Sequence, residues 1–190
     1  EKKINSDYFI NELSKLLPSK TCIVVDGGGT ALYSGFQSTV VKKNQRIICS
    51  SAISSMGTGL AESIGCHKSG KFKKIVCIIG DGSFLMNIQD LELIKKLNMN
   101  ISIILINNNG YLAIRHTQKE FLGGRYYGTN PKGKLSLPNF KSVSSAFKFN
   151  YLKVKNYNQS KKALKTIIKS KYPTVCEIVT SENQSSLFKQ

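Results

Sequence analysis

A doubly wound α/β fold, with a parallel sheet of about six strands and helices on both faces, is what this sequence predicts on three observations. First, Lys74–Ile79 and Ile101–Ile106 are β-branched runs without polar alternation, as in strands buried on both faces. Second, Ile88, Leu91, Leu93, Ile94 and Leu97 recur between them at helical spacing, with Lys95 and Lys96 outside. Third, each run stops at small polar residues: Gly80-Asp81-Gly82-Ser83 after one, Asn107-Asn108-Asn109-Gly110 after the other. A strand–helix–strand unit with a right-handed crossover places both polar tips at the same sheet edge. Ligands of open α/β sheets bind at that edge.

The remaining elements follow in chain order. Ser6 or Asp7 caps a first helix carrying Tyr8, Phe9, Leu13, Leu16 and Leu17 on one face, and Pro18 ends it. Thr21–Val25 is a strand closed by Asp26-Gly27-Gly28-Gly29. That run is no dinucleotide fingerprint, because Leu32 stands where the third glycine of Gly-x-Gly-x-x-Gly belongs. Arg46–Cys49 is a short strand. A helix follows at Leu60–Cys66, in which Ala61 and Gly65 are small enough for close packing. Beyond the second polar tip, Leu112–Phe121 starts a helix, and Tyr111–Pro138 has the weak periodicity and glycines of a functional lid. Helix, strand, helix and strand then follow at Phe140–Phe147, Tyr151–Val154, Ser160–Lys169 and Thr174–Val179.

At 190 residues and 41% hydrophobic, residues 1–190 read as one domain with a substantial core. No apolar run approaches the roughly 20 residues of a membrane span, and the amino end lacks a signal core. Cys22, Cys49, Cys66, Cys77 and Cys176 form no Cys-x-x-Cys pair and mostly lie in apolar runs, which points to core packing in a reducing cytoplasm. His67 and His116 have no ligand-spaced partner, so no zinc site is expected. The net charge of +17 is spread along the chain without basic–aromatic interleaving, which argues against nucleic acid. The stretch Gly65-Cys66-His67-Lys68-Ser69-Gly70-Lys71 imitates a P-loop. It fails because Phe72 replaces the metal-binding hydroxyl residue and because it precedes a strand instead of following one.

The two tips have a definite chemistry. Asp81 offers a carboxylate and Asn108 an amide oxygen, and Gly110 lets a backbone carbonyl point inward with no Cβ in the way. Oxygen donors with one charge suit Mg²⁺, which completes its shell with phosphate and water. The N–H groups of Gly82 and Ser83, and the Ser83 hydroxyl, are placed to bind phosphate at a helix start. The construction reads as a diphosphate–Mg²⁺ clamp; ordinary turns at Asp81-Gly82 and Asn109-Gly110 are the alternative.

At these residues the sequence resembles thiamine diphosphate (ThDP) enzymes, whose signature is Gly-Asp-Gly, roughly two dozen residues, then Asn-Asn. The resemblance implies the ThDP-binding fold, with Asp81, Asn108 and the Gly110 carbonyl on Mg²⁺ and Ser83 on the diphosphate. It adds Gly80, Gly82, Tyr111 and Leu112 to the cofactor's surroundings. Gly28, Gly29 and Thr30 enter either as diphosphate contacts or as flexible-turn residues. Ser-Met-Gly-x-Gly-Leu, here from Ser55 to Leu60, is similar to the acetohydroxyacid (acetolactate) synthase branch. There the methionine wedges beneath the cofactor, so Met56 is either that wedge or a core residue. The pattern Gly-Tyr-x-x-Ile-Arg-x-Thr-Gln after Asn109 resembles carboligases of the same branch, and Arg115 and Arg125 either steer a carboxylate substrate or are solvated.

The resemblance further implies an enzyme that decarboxylates a 2-oxo acid, pyruvate first among them, and transfers the carbanion to a carbonyl acceptor. A decarboxylase, possibly separately encoded, and a non-catalytic basic module with a degenerate site are the alternatives. The family's activating glutamate stands on a pyrimidine-binding domain that nothing here resembles; Glu62, Glu92 and Glu120 lie outside its motif. The expectation is therefore the carboxyl-terminal part of a longer, homo-oligomeric parent, inactive alone, with a separate subunit as the other reading. Whether a flavin (FAD) accompanies it is left open.

Overall fold

The computed structural model describes residues 3–50 and 52–184, so the start at Glu1 lies outside the described residues. Its elements are α1 (Ser6–Leu16), β1 (Thr21–Val25), α2 (Gly29–Ser38), β2 (Arg46–Ile48), α3 (Thr58–Lys68), β3 (Lys74–Gly80), α4 (Asp81–Met86), α5 (Asp90–Lys96), β4 (Ile101–Asn107), α6 (Leu112–Phe121), α7 (Phe140–Ala146), β5 (Asn150–Val154), α8 (Tyr157–Lys169) and β6 (Thr174–Val179). The six strands form one sheet in the order β2-β1-β3-β4-β6-β5, and every neighbouring pair is parallel.

The strand sequences explain the layering. Alternate residues of each central strand face opposite sides, and both sides are apolar. Ile23, Val25, Val76, Ile78, Ile104 and Ile106 join a core with Phe9, Ile10 and Leu13 of α1 and Leu164 and Ile167 of α8. Cys22, Val24, Ile75, Cys77, Ile103 and Leu105 join the other core, with Leu60 of α3, Phe84 of α4, Leu91 and Ile94 of α5 and Phe140 of α7. Helices therefore cover both faces, which a fully parallel sheet requires.

Several local expectations are corrected. In α1 the buried set is Ser6, Phe9, Ile10, Leu13 and Ser14, while Tyr8 and Leu16 are exposed. Asn5, not Ser6 or Asp7, caps it by accepting the N–H groups of Asp7 and Tyr8. The expected helix at 88–97 is shorter, Asp90–Lys96, and the side chains of Leu93 and Leu97 are exposed. Ala61 and Gly65 of α3 face solvent instead of packing closely, and nothing lies within 4 Å of where a Gly65 Cβ would stand.

Helix α2 was not expected. Its buried face is Ala31, Ser34, Gly35 and Ser38, too small to leave a hydrophobic period, while Tyr33 and Phe36 point outward. The small face lets α2 lie close on β1: a Cβ on Gly35 would stand 2.6 Å from Val25 Cγ1.

Strand order positions the site. From β1 the chain passes to β2 on one side, then returns across β1 to β3 on the other. The carboxyl ends of β1 and β3 thus flank a topological switch point, where open sheets leave a crevice.

Candidate cofactor and cation site

A cleft open to solvent lies at that switch point. Its walls hold every residue expected there: Gly28, Gly29, Thr30, Met56, Gly80, Asp81, Gly82, Ser83, Asn108, Gly110, Tyr111 and Leu112, joined by Ala113 and Ile114. Four separate stretches of chain supply them.

Asp81 opens α4 at the end of β3 and is only 2% exposed. Its Oδ1 accepts the Gly82 N–H at 2.8 Å; its Oδ2 accepts those of Asn108 at 3.1 Å and Gly110 at 2.9 Å. Oδ2 is thereby filled, whereas Oδ1 keeps a lone pair. Burial pushes the Asp81 carboxyl up to about 6, opposed by the N–H groups of Gly110, Gly82 and Asn108 and by the Arg115 charge. Retaining a carboxylate in so dry a place favours a positive partner.

Asn108 leaves β4 and is likewise 2% exposed. Its Nδ2 donates to Thr30 Oγ1 at 2.9 Å, and its Oδ1 is buried with no hydrogen-bond partner. An orphaned amide oxygen is costly unless something binds it. Among the described residues no group of three or more His, Cys, Asp or Glu side chains is placed to hold a metal. One buried carboxylate and one free amide oxygen, facing an open cleft, fit a hard cation whose remaining ligands are phosphate and water.

Backbone proximity explains the glycines. A Cβ on Gly28 would stand 2.3 Å from Ser83 Oγ, and one on Gly82 would stand 2.2 Å from the Tyr111 ring. Gly110 has φ +133° and approaches the Thr129 carbonyl so closely that a Cβ would lie 2.3 Å from it. Met56 is half-buried at the cleft wall, not in either core.

Two residues act beyond their expected parts. Asp26, fully buried, accepts N–H groups from Gly28 at 2.9 Å, Gly57 at 2.8 Å and Gly59 at 3.0 Å. It thereby ties the turn that carries Gly28 to the turn that carries Met56. Only its place between a strand and a glycine run signalled it. Arg115 neither meets solvent nor reaches into the cleft. It is buried, donating to the carbonyls of Thr129 at 2.7 Å, Glu182 at 2.7 Å and Asn108 at 3.3 Å. Burial lowers its pKa, opposed by Asp81 and Glu182. Arg125 is exposed.

The segment expected as a lid is anchored at its base. Thr129 accepts the Tyr111 N–H at 3.0 Å through its carbonyl and donates its hydroxyl to Gln118 Oε1 at 2.7 Å. Phe121, Leu122 and Tyr127 are exposed large side chains at its tip.

The sequence model of the family described as "Thiamine pyrophosphate enzyme, C-terminal TPP binding domain" matches residues 26–178. The acetolactate synthase large subunit of Porphyra purpurea is 30% identical over 143 residues, covering 75% of this chain and 24% of that protein. That of Cyanidium caldarium is 30% identical over 177 residues, covering 92% and 29%. The acetolactate synthase isozyme 2 large subunit of Escherichia coli K12 is 27% identical over 179 residues, covering 94% and 32%. The chain thus spans about a quarter to a third of the length of these curated relatives.

Proposed function

Because the chain belongs to the thiamine pyrophosphate enzymes, through their C-terminal TPP-binding domain, we propose that its cleft binds the diphosphate of ThDP together with Mg²⁺. The observation that carries this reading is the Asn108 Oδ1: buried, unpartnered and beside a buried carboxylate at the cleft. Asp81 Oδ1, Asn108 Oδ1 and the Gly110 carbonyl would hold the cation. Gly82, Ser83 and the start of α2 at Gly28, Gly29 and Thr30 would receive the phosphates. Met56 would support the cofactor's middle from the cleft wall.

Bound ThDP supplies an electron sink for decarboxylating a 2-oxo acid. The chain's own residues would orient the diphosphate end, with Asp81 held buried at the cleft floor by the N–H groups of Gly82, Asn108 and Gly110. Among the described residues no glutamate lines the cleft. The reaction we propose, cleavage of pyruvate and delivery of the remaining fragment to a carbonyl acceptor, therefore takes its activating carboxyl from a pyrimidine-binding domain. That domain, in a homo-oligomeric assembly, is the partner we propose for the open side of the cleft.

The test is an assay of the purified chain with pyruvate, ThDP and Mg²⁺. The chain alone is expected to form no acetolactate above background, and adding a pyrimidine-binding domain in trans should raise turnover. Loss of a general acid–base participant alone costs about 10²–10⁴ in rate. Efficient turnover by the chain by itself would overturn the shared-site reading.

A further inference from the structure

The three consecutive asparagines at the end of β4, Asn107 to Asn109, divide their work, and the division is set from a neighbouring strand. Asn108 lines the cleft and its amide oxygen has no hydrogen-bond partner, whereas the two flanking asparagines are both engaged elsewhere. Asn107 Nδ2 donates to Glu177 Oε1 at 2.7 Å, and Asn107 Oδ1 accepts the Asn109 N–H at 3.0 Å. Asn109 Nδ2 in turn donates to Glu182 Oε1 at 2.9 Å. Asn109 takes a left-handed conformation, φ 62°, and Gly110 follows at φ 133°. These two residues turn the chain so that the N–H groups of Asn108 and Gly110 both reach Asp81 Oδ2.

Glu177 is the unusual member. It lies on β6, inside the sheet, and is 1% exposed. A carboxylate there needs compensation, which it receives from the Tyr151 hydroxyl and from Lys153 Nζ at 3.0 Å, both on β5. The cleft lining does not include it. Among the described residues, what it meets on the site's side is the Asn107 amide. An ionised carboxylate only accepts hydrogen bonds, whereas a side-chain amide can present either end. Glu177 therefore fixes which end of the Asn107 amide faces it. The NH₂ must point to Glu177, so the oxygen must point to the Asn109 N–H. That bond closes the turn holding Asn109 left-handed, and with it the aim of Asn108.

We propose that Glu177 is a positioning residue for the cation. Through the Asn107 amide it holds the Asn108–Gly110 turn in the metal-binding shape while touching neither metal nor cofactor. This rests on the ThDP–Mg²⁺ reading of the cleft. Partners that orient metal ligands from behind commonly contribute a factor of about 10–100 in metal affinity.

Mg²⁺ is titrated into the chain at saturating ThDP, and cofactor-free melting is recorded in parallel, for wild type, Glu177→Gln, Asn107→Ala and the double variant. Glutamine has one acceptor oxygen for three donors, so the fixed orientation of Asn107 is lost. The Mg²⁺ midpoint is expected to rise about 10–100-fold in either single variant. It should rise little further in the double, because both act through one connection. A midpoint within twofold of wild type in Glu177→Gln overturns the proposal, as does multiplication of the two losses in the double. If Glu177→Gln fails to fold, Asn107→Ala carries the test, and an unchanged midpoint there overturns it equally. Absence of Mg²⁺-dependent binding by wild type sinks the reading of the cleft itself, an outcome visible before any variant is compared.

Discussion

The Asn108 amide donates to the Thr30 hydroxyl at 2.9 Å, joining the turn after β4 to the first turn of α2. One bond thus spans the crevice floor between elements 78 residues apart in sequence. With the nitrogen so engaged, the oxygen is the end left without a partner. Thr30→Val keeps the shape and removes the hydroxyl. It is expected to cost about 1 kcal/mol of stability and to weaken Mg²⁺-dependent cofactor binding about tenfold. Melting curves and a cofactor titration check both numbers; unchanged affinity would detach Thr30 from the site.

Two glycines should respond to alanine in opposite directions. Gly110 sits at φ +133° with a backbone oxygen 2.3 Å from any Cβ, so Gly110→Ala should destabilise by about 2–4 kcal/mol. Gly65 lies in α3 with nothing within 4 Å, so Gly65→Ala should stabilise by about 0.5–1 kcal/mol. Denaturant unfolding of both variants checks the pair. A loss at Gly65 would mean that α3 packs there after all.

Lys74, at the start of β3 and buried, donates to the Ser170 carbonyl at 3.0 Å and to Asn100 Oδ1 at 3.4 Å. Among the described residues no carboxylate forms an ion pair with it. Burial pushes its pKa down from 10.5 to about 8. Between those values the unfolded chain binds more protons than the folded one, so this group's contribution to stability rises with pH. The buried thiols of Cys22, Cys77 and Cys176, raised by burial from 9.0, act in the opposite sense above that value. Comparison with Lys74→Met separates the two, because the thiols titrate in both proteins. The variant's stability advantage should shrink by about 2–3 kcal/mol as pH climbs from 8 to 10.5. A difference that stays constant with pH would show that Lys74 is not desolvated.

The site's polar tips were legible because their chemistry is local: a strand, then Gly-Asp-Gly-Ser or Asn-Asn-Asn-Gly. The central strands β3 and β4 were legible for the same reason, as uninterrupted apolar runs. Helix α2 was not, because a helix that packs through Ala31, Ser34 and Gly35 leaves no hydrophobic period to find. Asp26 looked like part of a glycine turn, and its three N–H partners come from two loops that only the fold brings together. For Arg115 the sequence posed the wrong pair of choices. Its real partners, the carbonyls of Thr129 and Glu182, arrive from 14 and 67 residues away. Glu177 resembled one more strand residue; only sheet register sets it beside Lys153 and within reach of Asn107.

Cofactor-induced stabilisation with and without Mg²⁺ shows whether Asp81 and Asn108 form a cation-dependent diphosphate clamp. Wild type at a hundredfold excess of ThDP over its dissociation constant should gain about 2.7 kcal/mol with Mg²⁺ and almost nothing in chelator. Asp81→Ala leaves the N–H groups of Gly82, Asn108 and Gly110 without their acceptor, so it should start about 3 kcal/mol less stable, water from the open cleft recovering part of the loss. Whatever its starting point, it should show no Mg²⁺-dependent gain. An equal gain in chelator, or the same Mg²⁺-dependent gain in Asp81→Ala, would rule out the clamp.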